Sequence, residues 1–350
     1  MKAAFFRGPH NFEVKEIPTP ATGADDILIN VDYCAICGSD LHTYTKGLYV
    51  KPGQVMGHEF GGTIAQIGDN CKSLGLSVGQ KIVTNPTIAC GHCVMCRKGL
   101  PNICENALTR TLAYGRPGAF AQYVLQGGNG YFYPLPDSVS TKEGALMEPL
   151  AVAVHAVKRA KLYLNDTAVV LGAGTLGLLT AQVLKSIGNI RVIQVDVSDK
   201  RLEVARNTGV DFTINPRKVK DVVAEIAAIT GPGFYGSGGA QADAVFECAG
   251  VPATVTQALK IVRHGGYVIS VANAEEPAPL DVTVMAQKEI NFLGSYAYIN
   301  EFEEAVSLVA SGKVRLAPLI SHVFPLEQVN EAFEMQLNAA ESVKVVLDCG

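Results

Sequence analysis

The hexapeptide Gly172-Ala173-Gly174-Thr175-Leu176-Gly177 joins an apolar run, TAVVLG (167–172), to a helix-like run, TLGLLTAQVLKSIG (175–188). Each glycine of such a turn has its own use. The first allows the tight bend, the second lets phosphates approach the backbone at a helix N-terminus, and the third lets helix and strand pack closely. G-x-G-x-x-G alone is a weak signal. Its weight comes from the segments C-terminal to it: strand-like 191–196, helix-like 199–209, strand-like 211–215, helix-like 220–230, strand-like 243–250, helix-like 253–262 and strand-like 265–271. This alternation specifies right-handed βαβ units and a doubly wound parallel sheet, hence an α/β Rossmann-type domain. Asp196 ends the second strand, where an acid accepts hydrogen bonds from a ribose 2′-hydroxyl and repels a 2′-phosphate; NAD is expected over NADP. Arg201 tempers that preference, because it can lie along the adenosine edge in either case. The bland alternative is a turn that binds nothing, with Asp196 only capping the next helix.

A chain of 350 residues exceeds what one core usually serves, so two domains are expected. Residues 1–150 carry short β-like runs (27–33, 61–67, 81–83, 121–124) punctuated by Gly and Pro, the texture of a barrel-like β domain. From about 289 the sequence reads as strand, helix and closing strands that either continue the parallel sheet or return to the first domain. GPGFYGSGGA (231–240) reads as a flexible surface loop.

A formal net charge of -4 supplies no positive field for nucleic acid or anionic membranes. Residues 167–184 lack charge over a length near that of a membrane span, but three glycines within them fit a strand, turn and helix instead. Arg7, Glu13 and Lys15 interrupt any signal-peptide core, so export is not expected. Nine cysteines, an odd number with four crowded at 90–104, suit a reducing cytoplasm better than a disulfide scaffold.

Cys90, Cys93, Cys96 and Cys104 place four thiols within fifteen residues of a Gly- and Pro-containing loop. Four thiolates can wrap one tetrahedral zinc and leave no open position, which makes such a site structural. A pair of disulfides or an iron–sulfur cluster are the alternatives. A second constellation is dispersed: Cys37 in CGSDLH, His58 and Glu59 in GHEFGG, and Glu148 in MEPLAVAVH. Each has an ordinary explanation: a redox CxxC with Cys34, a loop histidine, an acid at a helix N-terminus. Together, thiolate, imidazole and carboxylate could instead form a three-ligand zinc site with its fourth position open.

GHEFGG, CGSDLH, the four-cysteine lobe, EPLAVAVHA and GAGTLG occur in the order found in zinc-containing medium-chain alcohol dehydrogenases, which this sequence resembles essentially end to end. It is most similar to the polyol branch, the sorbitol and 2,3-butanediol dehydrogenases. The resemblance implies a GroES-like catalytic domain (1–155, completed by 290–350), a Rossmann domain (156–289), two zinc ions per chain, NAD, and a homodimer or homotetramer. It implies that Cys37, His58 and Glu148 hold catalytic zinc, with Glu59 exchanging on the metal. Ser39 would touch the reacting hydroxyl and His42 would pass its proton outward. Gly172, Gly174, Leu176, Gly177, Asp196, Arg201, Val271, Asn273, Ser295 and Tyr296 would contact NAD.

Departures from sorbitol dehydrogenases at Thr43 and near Ala297 shift the expected substrate from sorbitol toward a vicinal diol or α-hydroxyketone. L-Threonine 3-dehydrogenase is a related alternative, although Leu150 stands where that group carries phenylalanine. A non-catalytic NAD-binding relative would need the ligands to be missing, and they are present. Tyr44, Tyr49, Phe120 and Tyr296 are the expected pocket aromatics.

Overall fold

The computed structural model describes residues 1–233, 239–274 and 276–350; part of the 231–240 loop lies outside the described residues. The chain divides into two compact units. One comprises Met1–Pro149, Phe302–Ala310 and Ile320–Gly350, the other Leu150–Glu301 and Ser311–Leu319.

The first unit begins with β1 (Lys2–Gly8) and β2 (Asn11–Glu16), an antiparallel pair. Then come β3 (Asp26–Ala35), β4 (Glu59–Ile67), β5 (Lys81–Thr84), β6 (Tyr123–Gly127) and β7 (Phe132–Pro134). Alternate residues of β6 are buried, as an antiparallel strand with one face on a core requires. Gly62 marks a close crossing in β4: a Cβ there would stand 2.2 Å from the Asn30 carbonyl oxygen of β3.

The second unit carries β8 (Thr167–Leu171), β9 (Arg191–Val195), β10 (Phe212–Ile214), β11 (Ala242–Glu247), β12 (Val262–Ser270) and β13 (Asn291–Gly294). All pairings are parallel, in the order β10-β9-β8-β11-β12-β13. That is the doubly wound order, with its switch point beside the first strand. β8 is buried at every residue, which explains why its sequence is continuously apolar rather than alternating. The uncharged stretch 167–184 is therefore a strand, a glycine turn and part of a helix. Among the described residues no helix is long and apolar enough to cross a membrane.

β13 moves the boundary expected near 290. It pairs with β12 through Tyr267↔Asn291 to Ser270↔Gly294, and the second unit keeps the chain until Glu301. The first boundary lies at Pro149 rather than 155, inside the helix Met147–Lys158. The last strands, β14 (Ile320–Pro325) and β15 (Lys344–Asp348), complete the first unit's sheet in the order β14-β15-β3-β4-β5-β7. β15 runs antiparallel to β3 with Leu347 opposite Cys34, which carries the chain's last residues to the strand leading into Cys37.

The first unit's core explains two misplaced pocket residues. Tyr44 is buried, stacks on Phe12 at 5.8 Å and donates its hydroxyl to Glu334 at 2.9 Å. Phe120 is fully buried and meets Phe333 edge-on at 5.7 Å. Both are packing residues, each contributing on the order of 2–3 kcal/mol by burial, and neither is free to line a pocket.

Candidate functional site

Cys37 caps the helix Gly38–Lys46, and its backbone N–H donates to the Asp40 carboxylate at 3.0 Å. His58 precedes β4 and Glu59 opens it, opposite Ala35 of β3. One ligand atom from each of Cys37, His58 and Glu59 lies within 4.8 Å of the others. Donors at 2.0–2.3 Å from a single zinc stand at most about 4.6 Å apart, so this spacing needs little contraction to close on an ion.

The electrostatics favour a cation. His58 and Glu59 are buried, and His58 Nδ1 has no hydrogen-bond partner; an Asp40 carboxylate oxygen stands 3.9 Å away. Burial pushes the Cys37 thiol up, Glu59 adds to this, and His58 opposes it. For His58, burial alone would lower the pKa, but the charges of Cys37 and Asp40 outweigh it and push it well up. A buried donor left orphaned beside a thiol and a carboxylate is costly unless something binds there. The donor set of sulfur, nitrogen and oxygen suits zinc.

Glu148 does not join the three. It sits half-buried in the first turn of Met147–Lys158, and its charge helps raise His58, but no oxygen of it belongs to the 4.8 Å set. Glu59 has a partner that no sequence motif announces: the buried ammonium of Lys344 contacts its carboxylate and also donates to the Ile36 carbonyl at 2.8 Å. Ser39, two residues beyond Cys37, has a buried hydroxyl oxygen without a partner. His42 meets the ring of Tyr49 at 6.5 Å, Tyr49 meets Tyr114, and Tyr114 lies 5.7 Å from His58. Tyr114 was missed because nothing in AYGRPG marks it. Thr43 is fully buried, with its hydroxyl donating to the Ser39 and Leu48 carbonyls, so it is a helix-end fastening rather than a pocket hydroxyl.

The four-cysteine lobe is a different object. Cys90 and Cys96 sulfurs are 4.0 Å apart, and those of Cys93 and Cys104 3.9 Å, far beyond the roughly 2.05 Å of a disulfide. The disulfide alternative is thereby overturned. Four sulfurs on a tetrahedron of 2.3 Å radius stand about 3.8 Å apart, which matches one zinc. Backbone N–H groups already point at them: Cys93 to the Cys90 sulfur at 3.3 Å, Cys96 to that of Cys93 at 3.4 Å, Cys90 and Asn106 to that of Cys104 at 3.4 Å. Such hydrogen bonds bring Cys90 down to about 5, whereas burial and neighbouring thiols push Cys96 up to about 12.

In the second unit, Gly172 adopts φ 97°, a left-handed backbone that a side chain would strain. A Cβ on Gly177 would sit 2.0 Å from the Gly172 carbonyl oxygen, whereas one on Gly174 would meet nothing within 4 Å. The middle glycine thus leaves open backbone at the N-cap of the helix Thr175–Ser186, as a pyrophosphate needs. The Asp196 carboxylate accepts the Ala173 N–H at 2.6 Å and the Ser198 N–H at 2.7 Å, holding the glycine turn to the end of β9. Arg201 is partly buried close enough to Asp196 for their charges to interact. Leu176 lies in the first turn of that helix. Val271 and Asn273 follow β12, and Ser295 and Tyr296 follow β13, so all these positions lie at the carboxyl ends of the strands. Ser295 Oγ is buried without a partner, while Tyr296 is exposed. Glu247, unmarked by any motif, ends β11 and accepts the N–H groups of Ala249 and Gly250 at 3.0 and 2.9 Å, shaping the neighbouring turn.

Residues 23–137 match the alcohol dehydrogenase GroES-like domain and residues 175–311 the zinc-binding dehydrogenase domain. The chain is 33% identical to sorbitol dehydrogenase of Bacillus subtilis over 99% of its own length and 97% of that protein. The chain belongs to the zinc-binding dehydrogenases. It is an oxidoreductase acting on CH–OH groups. Among solved zinc-binding dehydrogenase relatives, 2R,3R-butanediol dehydrogenase from Bacillus subtilis superposes with TM-score 0.89 at 30% identity, covering 99% of both chains. A putative zinc-binding dehydrogenase from Sinorhizobium meliloti, bound to NADP, gives TM-score 0.89 at 30% identity over 99% of this chain and 98% of that one.

Proposed function

We propose that this dehydrogenase moves a hydride between NAD and one secondary hydroxyl of a polyol or vicinal diol, giving the ketone. The gathering of Cys37, His58 and Glu59 into one buried cluster with an orphaned imidazole nitrogen carries this reading. Cys37 and His58 would hold catalytic zinc, with Glu59 or Glu148 as the third donor; the buried Lys344 ammonium holds the Glu59 carboxylate in position. A bound zinc supplies Lewis-acid polarisation that makes a hydroxyl proton easier to lose, and the nicotinamide supplies the hydride acceptor. Ser39 Oγ receives the substrate proton, and His42 passes it outward. Asp40 accepts the Cys37 N–H and so fixes the thiolate's approach. Cys90, Cys93, Cys96 and Cys104 would hold a second, structural zinc.

Gly172, Gly174, Leu176 and Gly177 would cradle the pyrophosphate, and Asp196 the adenosine ribose. The remaining contacts would come from Arg201, Val271, Asn273, Ser295 and Tyr296. Asp196 supports NAD over NADP. A cytoplasmic homodimer or homotetramer fits the cysteine content and the family, and sedimentation velocity reads the assembly. A screen of 2,3-butanediol, sorbitol, xylitol and L-threonine with NAD and with NADP, followed at the NADH absorbance, tests the function. Diols and polyols with NAD are expected to lead; threonine leading, or no alcohol-dependent reduction by zinc-loaded protein, would overturn it.

A further inference from the structure

The first unit has a cavity of about 320 Å³ lined by Asp26, Ile88, Thr109, Arg110, Arg116 and Asn129, with Gly127 in its wall. None of these residues belongs to the metal clusters or the glycine turn. The cavity adjoins the segments entering and leaving the four-cysteine lobe: Ile88 precedes Cys90, and Arg110 ends the short helix Ala107–Arg110 that follows Cys104.

Both guanidiniums are held in place by the protein. Arg116 donates to Gln126 Oε1 at 2.5 Å and to the Leu125 carbonyl at 2.8 Å, and Gln126, wholly buried, is fixed in turn by donating to the Asn85 carbonyl at 2.8 Å. Arg110 donates through Nε to the Ile88 carbonyl at 2.7 Å. Among the described residues, neither Arg110 nor Arg116 forms a salt bridge, and the terminal nitrogens of Arg110 have no acceptor. Burial depresses the Arg116 pKa; the Asp26 carboxylate opposes that and the Arg110 charge adds to it. Two like charges in one wall are unfavourable unless an anion offsets them. Asp26 answers only one of them. Gly127 keeps the space open, since a Cβ there would stand 2.9 Å from Asn129 Oδ1.

We infer that this cavity binds a small hydroxylated phosphate monoester. The acceptor-free terminal nitrogens of Arg110, together with the N–H groups that Arg116 has left after bonding Gln126 and Leu125, suit the three free oxygens of a phosphate, whereas a single carboxylate is already satisfied by one arginine. The Thr109 hydroxyl and Asn129 amide add neutral donors, and the Asp26 carboxylate can accept a hydroxyl of the carrier. Because the partners are pre-positioned, little side-chain entropy is lost on binding. A ligand here would brace the neck of the cysteine lobe.

Isothermal titration of zinc-loaded, NADH-saturated protein with glycerol 3-phosphate tests this, the NADH covering the phosphate-binding turn of the second unit. Saturable binding is expected, weakened at least about tenfold by Arg110→Gln, a loss of about 1.4 kcal/mol, and tightened by Asp26→Asn. Glycerol should give no binding that Arg110→Gln abolishes. No saturable binding by the wild type, or equal affinity in Arg110→Gln, would overturn the site. Gluconate binding as tightly as glycerol 3-phosphate would overturn the phosphate assignment. Should Arg110→Gln fail to fold, Asp26→Asn decides: tighter binding supports the site and unchanged affinity contradicts it.

Discussion

The two cysteine-containing clusters are built in opposite ways for the metal each is proposed to hold. The lobe takes four identical donors from fifteen consecutive residues, aims backbone N–H groups at the sulfurs, and leaves no position for anything else. The other cluster draws on a helix cap, the start of β4 and, through Lys344, the chain's last strand, and its donors are three different elements. A local, saturated set can only hold; a dispersed, unsaturated set depends on the whole fold and leaves room for a reacting group. On the proposed reading, ligand spacing in sequence would already separate a brace from a reaction centre.

Substitution at the dispersed cluster should give the largest effect. His58→Ala is expected to lower kcat/KM more than about a hundredfold, since removal even of outer partners of a metal costs 10–100-fold. Thermal stability should change little and NADH should still quench or shift protein fluorescence; near-wild-type turnover would erase the contrast between the clusters. Next, Cys96→Ser should lower Tm by several degrees while the rate per folded molecule at 25 °C stays within about twofold, because a structural metal contributes to folding. Lost activity at unchanged Tm would move the lobe into the reaction.

A charged pair in the second unit calibrates these losses. Glu301 accepts from buried His155 at 3.1 Å and from the Ile299 N–H at 2.6 Å. Burial would raise its pKa, but these bonds and the charges of His155 and Lys158 carry it down to about 2. A depressed carboxylate stabilises the fold fully above its unfolded pKa near 4.5, and that contribution disappears as pH falls toward 2. On the order of 3 kcal/mol is involved. Acid unfolding of Glu301→Gln should therefore show a flatter loss of stability between about pH 4.5 and 2 than the wild type; parallel curves would refute the pairing. The smallest effect is expected from Asp196→Ala, about tenfold weaker NAD binding with reduced discrimination against NADP, read by titration of both dinucleotides. Unchanged preference would remove the ribose role.

The parallel sheet was readable because its signals are local. Apolar runs, glycine turn and helices succeed one another in TAVVLGAGTLGLLTAQVL, and, the β10-to-β11 crossover apart, consecutive strands are neighbours in the sheet. The first unit was less readable. β15 reaches β3 across more than 300 residues, so nothing near GHEF announces Lys344. Tyr44 and Phe120 look like pocket aromatics in sequence, but Phe12 and Phe333 draw them into the core. β13 was ambiguous because a four-residue strand carries too little periodicity to say which sheet it joins. Glu148 resembles a ligand by motif, yet the geometry gathers Glu59 with Cys37 and His58 instead.

Zinc content per chain, measured by plasma mass spectrometry on wild type and on His58→Ala, tests the account most directly. Two equivalents falling to one, with the variant's fold and Tm retained, is the predicted result. One equivalent in the wild type, or two persisting in the variant, would contradict it.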